Sequence, residues 1–435
     1  MAPSAQRPIK HLRWYIAILL CLASELNYLD RQTLSVLADT IQRELQLSTV
    51  QYSYITTSFL VSYTVMYAVS GRLIDLLGTR RSFLIFVSGW SVANMLHALA
   101  RTALQFSFFR FLLGAMEPAN FPGGVKAVSE WFPMRERAMA VGIFNAGTAL
   151  GSALATPIVS FIALTWGWRY AFVITGALGF VWVAVWALFY RLPQDHPRLS
   201  QAERALILSD TQGEEESRQP VPIGRLLRMR EAWGCIMARM LTDPISYFLF
   251  FWTPKYLQQE RGFDLAELGK FGWVPFAALT LGNLASGGVP RLLIGRGWSV
   301  NRARKTTMLV VSCLMPVFCL LVTRATSPMI ALALLTAIMF GHAAWGNIIL
   351  PAEVFPKRVV GTISGFGGAL GGLAGAITQL SIGWVVQNVS FTPIFAVCAV
   401  MYLIAFWLVH RLIGELGRIR DIPAAVTVRP ATEPG

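Results

Sequence analysis

Four ionisable residues stand inside otherwise apolar stretches: Asp30 and Arg31 within Asn27-Tyr28-Leu29-Asp30-Arg31-Gln32, and Arg110 and Glu117 at the two ends of a Phe- and Leu-rich run. A charge at the centre of a hydrocarbon layer costs about 2.5–3.5 kcal/mol on insertion scales, so each is a functional candidate by default. Arg110 and Glu117 are seven positions apart, close to two helical turns, and therefore share one helix face. Asp30 and Arg31 are neighbours, about 100° apart around a helix, so one can line a cavity while the other meets an adjacent helix. Asn27, Tyr28 and Arg31 fall on one stripe by their i, i+3 and i+4 spacing.

Two acids and two arginines balance in charge, and two readings follow. One is a pair of permanent salt bridges that hold helices together, although such a pair is often no better than apolar packing. The other is a proton-coupled anion site, in which an arginine binds a carboxylate and the acids take up protons. A carboxyl held between an arginine and a low dielectric feels opposing forces, so its protonation can follow occupancy. A further arginine, Arg239, lies in a later apolar stretch; it must meet an anion or Asp243, four residues on.

Other chemistries find no support. No phosphate-binding glycine loop, haem ligand set or metal-ligand spacing is present, and neither cofactor nor metal is expected. The five cysteines (Cys21, Cys235, Cys313, Cys319, Cys398) fall inside apolar runs and read as small core hydrophobes. A membrane-embedded enzyme would need a convergent catalytic cluster, and none stands out.

These charges have to be carried across a membrane. The chain of 435 residues is 55% hydrophobic and 14% charged, with a mean hydropathy of +0.53. A soluble domain is usually about 25% charged, which excludes that class. About twelve stretches approach the 20 residues of helix needed to cross a hydrocarbon core: near 14–37, 52–75, 83–100, 103–126, 138–164, 170–190, 232–257, 266–294, 306–323, 327–350, 359–386 and 391–412. Lys10 and Arg13 before the first imitate a signal peptide, but its removal would leave an odd number of spans.

The net charge of +14 does not imply nucleic acid, because the basic residues punctuate the apolar runs instead of forming one patch. With the N-terminus inside, 27 Lys and Arg fall in cytoplasmic segments. Six fall outside: Arg43, Arg101, Arg169, Lys255, Arg261 and Arg324. That bias predicts cytoplasmic termini. The polar stretch 192–231, with Glu214, Glu215 and Glu216, reads as a solvated linker between an N-terminal half (1–191) and a C-terminal half (232–412), followed by a tail (413–435).

A repeat supports that division: Glu130-Trp131-Phe132-Pro133-Met134-Arg135 recurs as Glu353-Val354-Phe355-Pro356-Lys357-Arg358, each time before a glycine-rich span. Gly142, Gly147 and Gly151, then Gly361, Gly365, Gly368, Gly372 and Gly375, have the small-residue spacing of closely packed helices. Two parallel halves are the arrangement of the major facilitator fold.

The turn Gly71-Arg72-Leu73-Ile74-Asp75-Leu76-Leu77-Gly78-Thr79-Arg80-Arg81 resembles the loop between spans two and three of the major facilitator superfamily. By that resemblance Gly71, Asp75, Gly78, Arg80 and Arg81 form a gating loop in which Asp75 latches the inner gate. The corresponding second-half loop carries Arg291 instead of an acid. Asn27-Tyr28-Leu29-Asp30-Arg31, the run from Arg110 to Gly123, and Glu130-Trp131-Phe132-Pro133 are similar to the anion:cation symporter branch. Arg261-Gly262-Phe263-Asp264-Leu265 and the basic run from Arg296 to Lys305 resemble bacterial hexuronate transporters.

The resemblance implies symport of an organic anion, commonly a sugar acid, with protons, by a monomer in the bacterial inner membrane among its lipids. Asp30 and Glu117 would be the proton sites, Arg31 the substrate contact and Arg110 the partner of Asp30. Tyr63 would touch substrate beside Tyr28 and Asn27. In the second half Arg239, Trp345, Asn347, His342 and Gln379 are the donors, acceptors and aromatic faces that a sugar acid needs. A related aldonate, aldarate or aromatic acid is the alternative cargo.

Overall fold

The computed structural model describes residues 8–208 and 223–417; Glu214–Glu216 and the tail beyond 417 lie outside them. The fold is all helical. In chain order the helices are α1 (Leu12–Leu45), α2 (Thr49–Leu77), α3 (Thr79–Leu96), α4 (Ala103–Met116), α5 (Asn120–Trp131), α6 (Met134–Trp166), α7 (Trp168–Phe189), α8 (Gln201–Leu208) and α9 (Ile223–Leu226). There follow α10 (Arg230–Gln259), α11 (Leu265–Phe271), α12 (Val274–Gly295), α13 (Val300–Arg324), α14 (Pro328–Ala344), α15 (Leu350–Val354), α16 (Lys357–Asn388) and α17 (Thr392–Ile413).

Local chemistry sets the boundaries. Ser48 and Gln51 form a reciprocal capping box at the start of α2, as Asp264 and Glu267 do at α11. Gly78 adopts φ +76° where α2 turns into α3, a conformation that a side chain resists.

Nine helical segments are long and apolar enough to cross a membrane among the described residues. The three other expected spans miss for visible reasons. Helices α4 and α5 are separated by a 3-10 turn, Glu117–Ala119, beside Pro118, and α4 carries Arg110. Helix α10 carries Arg239, Asp243 and Lys255, and α12 holds four Gly and two Pro together with Asn283, Ser286 and Arg291. Large apolar side chains such as Leu104, Val181 and Leu188 are exposed on outer faces, where lipid replaces water as the solvent.

The packing repeats. α1 packs on α6 as α10 packs on α16, α2 on α4 as α12 on α14, and α3 on α7 as α13 on α17. The close fit of α1 and α6 requires glycine: a Cβ on Gly147 would lie 2.0 Å from the Cys21 carbonyl oxygen, and one on Gly151 2.2 Å from that of Glu25. Such contact between backbones is what small residues permit.

The two groups of helices, α1–α7 and α10–α17, are joined by hydrogen bonds gathered where α1 ends and α2 begins. Val50 N–H donates to Gln387 Oε1 (2.9 Å), Tyr52 Oη to the Phe251 carbonyl (2.7 Å), Thr56 Oγ1 to Gln379 Oε1 (3.3 Å) and Gln258 Nε2 to the Val36 carbonyl (3.2 Å). This is the closed end of the bundle. At the opposite, open end α2 finishes and α10 and α16 begin, and none of these four bonds lies there. Helices α2 and α16 run antiparallel, so α16 begins at that open end together with α1, and Ile413 packs there on Gly234.

Two expectations are corrected. Lys255, read as a loop residue, lies inside α10 and is fully buried at the closed end. The first part of the linker is packed, not solvated: Glu203 accepts from the Leu12 and Arg13 N–H groups and from Arg13 Nη1 (2.7 Å), while Arg13 Nε also reaches Glu136 (2.8 Å). His196 is buried there, its Nε2 donating to the Phe189 carbonyl and its ring against Trp131. A buried carboxylate needs such partners, and chain composition alone does not reveal them.

Candidate functional site

A cavity of about 250 Å³ lies between the two groups of helices. That is just under the usual size of drug-binding pockets and leaves room for one small polar solute. One wall is built by Asn27, Tyr28 and Arg31 of α1, Tyr63 and Tyr67 of α2, and Glu117 with Asn120 at the break between α4 and α5. The other is built by Arg239, Asp243, Tyr247 and Phe250 of α10 and by Gly368 of α16.

Arg31 is the most heavily supported group of the first wall. Its Nε and Nη2 donate to Glu117 Oε2 at 2.8 and 2.7 Å, and Nη2 also reaches Asn27 Oδ1 at 3.2 Å. The guanidinium lies 4.4 Å from the Tyr28 ring centroid and 4.8 Å from that of Tyr63, within the range where a cation is attracted to an aromatic face. Glu117 Oε1 is buried and has no hydrogen-bond partner. A carboxylate entering the cavity therefore meets a guanidinium whose geometry is fixed and whose counter-ion holds it through one oxygen.

Asp30 points the other way, as the 100° separation requires. It is fully buried and accepts from Asn94 Nδ2 of α3 at 2.7 Å; the same amide is 2.8 Å from Thr175 Oγ1 of α7. Asp30 Oδ2 has no partner. Arg110 does not pair with it: among the described residues no Asp30–Arg110 ion pair forms within 4 Å, and Arg110 Nη1 donates instead to the Arg31 carbonyl (3.2 Å), with Nε and Nη2 unsatisfied. Arg110 thus sits behind the cavity wall. Arg110 and Glu117 keep the shared face expected of them: α4 runs through Met116, Glu117 N–H still bonds the Leu113 carbonyl, and both side chains reach Arg31.

On the second wall Arg239 Nη2 pairs with Asp243 Oδ2 at 2.8 Å, and Nη1 donates to the Ser364 carbonyl at 2.9 Å. Asn347 Nδ2 donates to Thr242 Oγ1 (2.7 Å) and Asp243 Oδ1 (3.3 Å), so it fixes this pair without lining the cavity. Three expected contacts lie elsewhere. Trp345 Nε1 donates to Ser312 Oγ (2.8 Å), and His342 Nδ1 shares a hydrogen bond with Tyr402 Oη, both inside the α13, α14 and α17 packing. Gln379 Oε1 accepts from Trp252 Nε1 (2.6 Å) at the closed end.

The gating-loop residues stand at the open end. Asp75 pairs with Lys126 at 2.8 Å, Arg80 Nη2 donates to the Ala187 carbonyl (2.6 Å), Arg81 is exposed, and Gly71 borders a surface cleft with Asp75 and Lys126.

Sequence reasoning missed Tyr67, Tyr247 and Asn120. The first two were findable as i+4 neighbours of Tyr63 and Asp243; Tyr63 and Tyr67 stack with centroids 6.0 Å apart. It also passed over Glu25 of α1, a half-buried acid outside the cavity. No group of His, Cys, Asp and Glu that could hold a metal occurs among the described residues.

Membrane-crossing helices in two repeated groups, with a charged cavity between them that one end seals, define a solute transporter of the multi-pass membrane type. The chain belongs to the major facilitator superfamily: the family model matches residues 20–379. It is 35% identical over 405 residues to the hexuronate transporter of Escherichia coli (strain K12), covering 92% of this chain and 93% of that one. It is 37% identical over 286 residues to the galacturonate transporter of Dickeya chrysanthemi, covering 65% and 83%. In fold it is similar to the inward open xylose transporter XylE from E. coli, with a TM-score of 0.71, 15% identity, and coverage of 93% and 97%. The protein is a transporter and not an enzyme.

Proposed function

We propose that this chain takes up a hexuronate-like sugar acid together with protons, by alternating access, across the bacterial inner membrane. The observation that carries this reading is Arg31: a guanidinium stacked between two tyrosines on the cavity wall, neutralised by a single Glu117 oxygen. The relatives named for hexuronate and galacturonate supply the cargo class.

The proposed frame has twelve spans, with α4–α5 and α14–α15 each counted as one broken span, in two halves of six with cytoplasmic termini. In that orientation the closed end is outer, the open end faces the cytoplasm, and the molecule is inward-facing. The substrate carboxylate and Glu117 compete for Arg31. A proton on Glu117 releases the guanidinium, and a proton on Asp30 removes an uncompensated charge between α1, α3 and α7. The tyrosines and amides of both walls recognise hydroxyls, and departure of substrate to the cytoplasm lets the Arg31–Glu117 pair re-form.

A second reading has one specific support. Arg239 places a second guanidinium on the opposite wall, which suits a dicarboxylic aldarate, and relatives 28% identical are named as probable galactarate/D-glucarate transporters. Purified protein in liposomes tests both: an inward proton gradient is expected to drive accumulation of D-galacturonate or D-glucarate above the external level. Asp30→Asn should abolish that uphill uptake while leaving exchange of internal for external substrate. Undiminished uphill uptake by the variant would overturn the assignment.

A further inference from the structure

Lys255 has no part in the cavity, yet its placement is unusual. The side chain is completely buried at the closed end, and its Nζ donates to Gln42 Oε1 and, at 3.1 Å, to Thr49 Oγ1. The Tyr52 and Trp252 ring centroids lie 5.0 and 5.5 Å from Nζ. No carboxylate pairs with it among the described residues. The acid in this region, Asp39, is bound to Arg43 and accepts from Gln259 Nε2 (3.1 Å). A buried ammonium solvated only by neutral groups is costly, and a glutamine or methionine would seal the same space without that cost.

The partners also divide between the two groups of helices. Gln42, Thr49 and Tyr52 belong to α1 and α2, whereas Lys255 and Trp252 belong to α10. When the closed end separates, Lys255 loses its two hydrogen-bond acceptors and becomes a free cation at the mouth. Gln42 lies eleven residues beyond Arg31 on α1, about 16 Å along the helix, so this is a separate locus and not a part of the cavity.

We propose that Lys255 is the outer capture residue for the anionic cargo: it binds the incoming carboxylate when the outer end is open and withdraws from it when that end closes. The inference rests on the proposed uptake of a sugar acid from that side. A ligand shifts a conformational equilibrium only by its differential affinity for the two states, and Lys255 is available to an anion in only one of them. Closure replaces the carboxylate at Nζ by Gln42 and Thr49, and the anion is left to Arg31.

The test is uptake of D-galacturonate by full-length protein in oriented liposomes, with transport measured separately from each side. Lys255→Gln is expected to raise the KM for entry at the outer face about tenfold and to leave the KM from the cytoplasmic face unchanged. Lys255→Arg is expected to restore most of the outer affinity. Neutralising a peripheral charge acts on association, so the ionic-strength dependence of the outer KM should also flatten in Lys255→Gln. An unchanged outer KM, or an equal fall in maximal rate from both sides, overturns the inference and leaves Lys255 as a packing residue. If the neutral variant does not fold, the wild type decides: an outer KM no more salt-sensitive than the inner one also overturns it. Wild-type liposomes that take up no uronate or aldarate refute the functional reading itself, and the inference falls with it.

Discussion

Replacing Glu117 by glutamine separates anion binding from proton coupling. Arg31 makes two charge-assisted contacts to one oxygen of Glu117, at 2.8 and 2.7 Å, and in the proposed mechanism substrate must displace that oxygen. Hydrogen bonds to charged groups contribute about 1.5–3 kcal/mol and neutral ones about 0.5–1.5 kcal/mol. Glutamine keeps the shape and one acceptor, so the competitor for Arg31 weakens by about 1–2 kcal/mol. At 1.4 kcal/mol per factor of ten, D-galacturonate should bind Glu117→Gln about tenfold more tightly at neutral pH. The sign with pH follows from linkage. A proton on Glu117 would free Arg31 as the substitution does, so wild type and variant converge wherever that proton is bound, and the variant has no such dependence of its own. Calorimetric titration at a series of pH values measures both proteins, and proteoliposome uptake measures the loss of uphill accumulation. A variant that binds more weakly than wild type at every pH, or that still accumulates substrate against its gradient, would refute the competition between Glu117 and the cargo.

Three further outcomes are expected. Gly147→Ala should destabilise the protein by about 1–3 kcal/mol in detergent thermal unfolding, because its Cβ would meet the Cys21 backbone at 2.0 Å, whereas Gly142→Ala, with nothing within 4 Å, should be neutral. Gln379→Ala removes the acceptor of Trp252 Nε1 at the closed end and leaves a buried donor unpaired, a cost of about 1–3 kcal/mol that should favour opening there; faster amide exchange over residues 49–57 is the readout. Burial pushes the His196 imidazole below its ordinary value, aided by Arg191, Arg198 and Arg204. The docked linker therefore prefers the neutral ring. Docking is fully stable above the undocked value of about 6.5 and is lost progressively as the pH falls below it, visible as rising exchange in residues 192–208.

Much of the site was legible in the chain. Asp30, Arg31, Arg110 and Glu117 were conspicuous because charge is expensive in apolar helix, and helical geometry separated Asp30 from Arg31 before any packing was known. The i+4 pair of Arg239 and Asp243 was visible for the same reason. Helix rotation and depth were less legible. Trp345, His342 and Gln379 carry the right chemistry for sugar recognition but turn towards α13, α17 and the closed end. Arg110 stood as the partner of Asp30 by resemblance alone; the Asn94 amide from α3 takes that place, and Arg110 turns to the Arg31 carbonyl.

The sequence by itself determined the membrane class, the repeat and the presence of acids and arginines inside apolar helices. These depend on residue type and on the fixed period of a helix, which neighbouring residues along one chain already specify. Only the tertiary structure decided which arginines line the cavity, that Glu203 and His196 tie the linker to α1 and α5, and that Lys255 is buried between the two groups of helices. Those facts depend on contacts between residues far apart in the chain, such as Lys255 with Gln42, and no local pattern records which distant surface a helix face will meet.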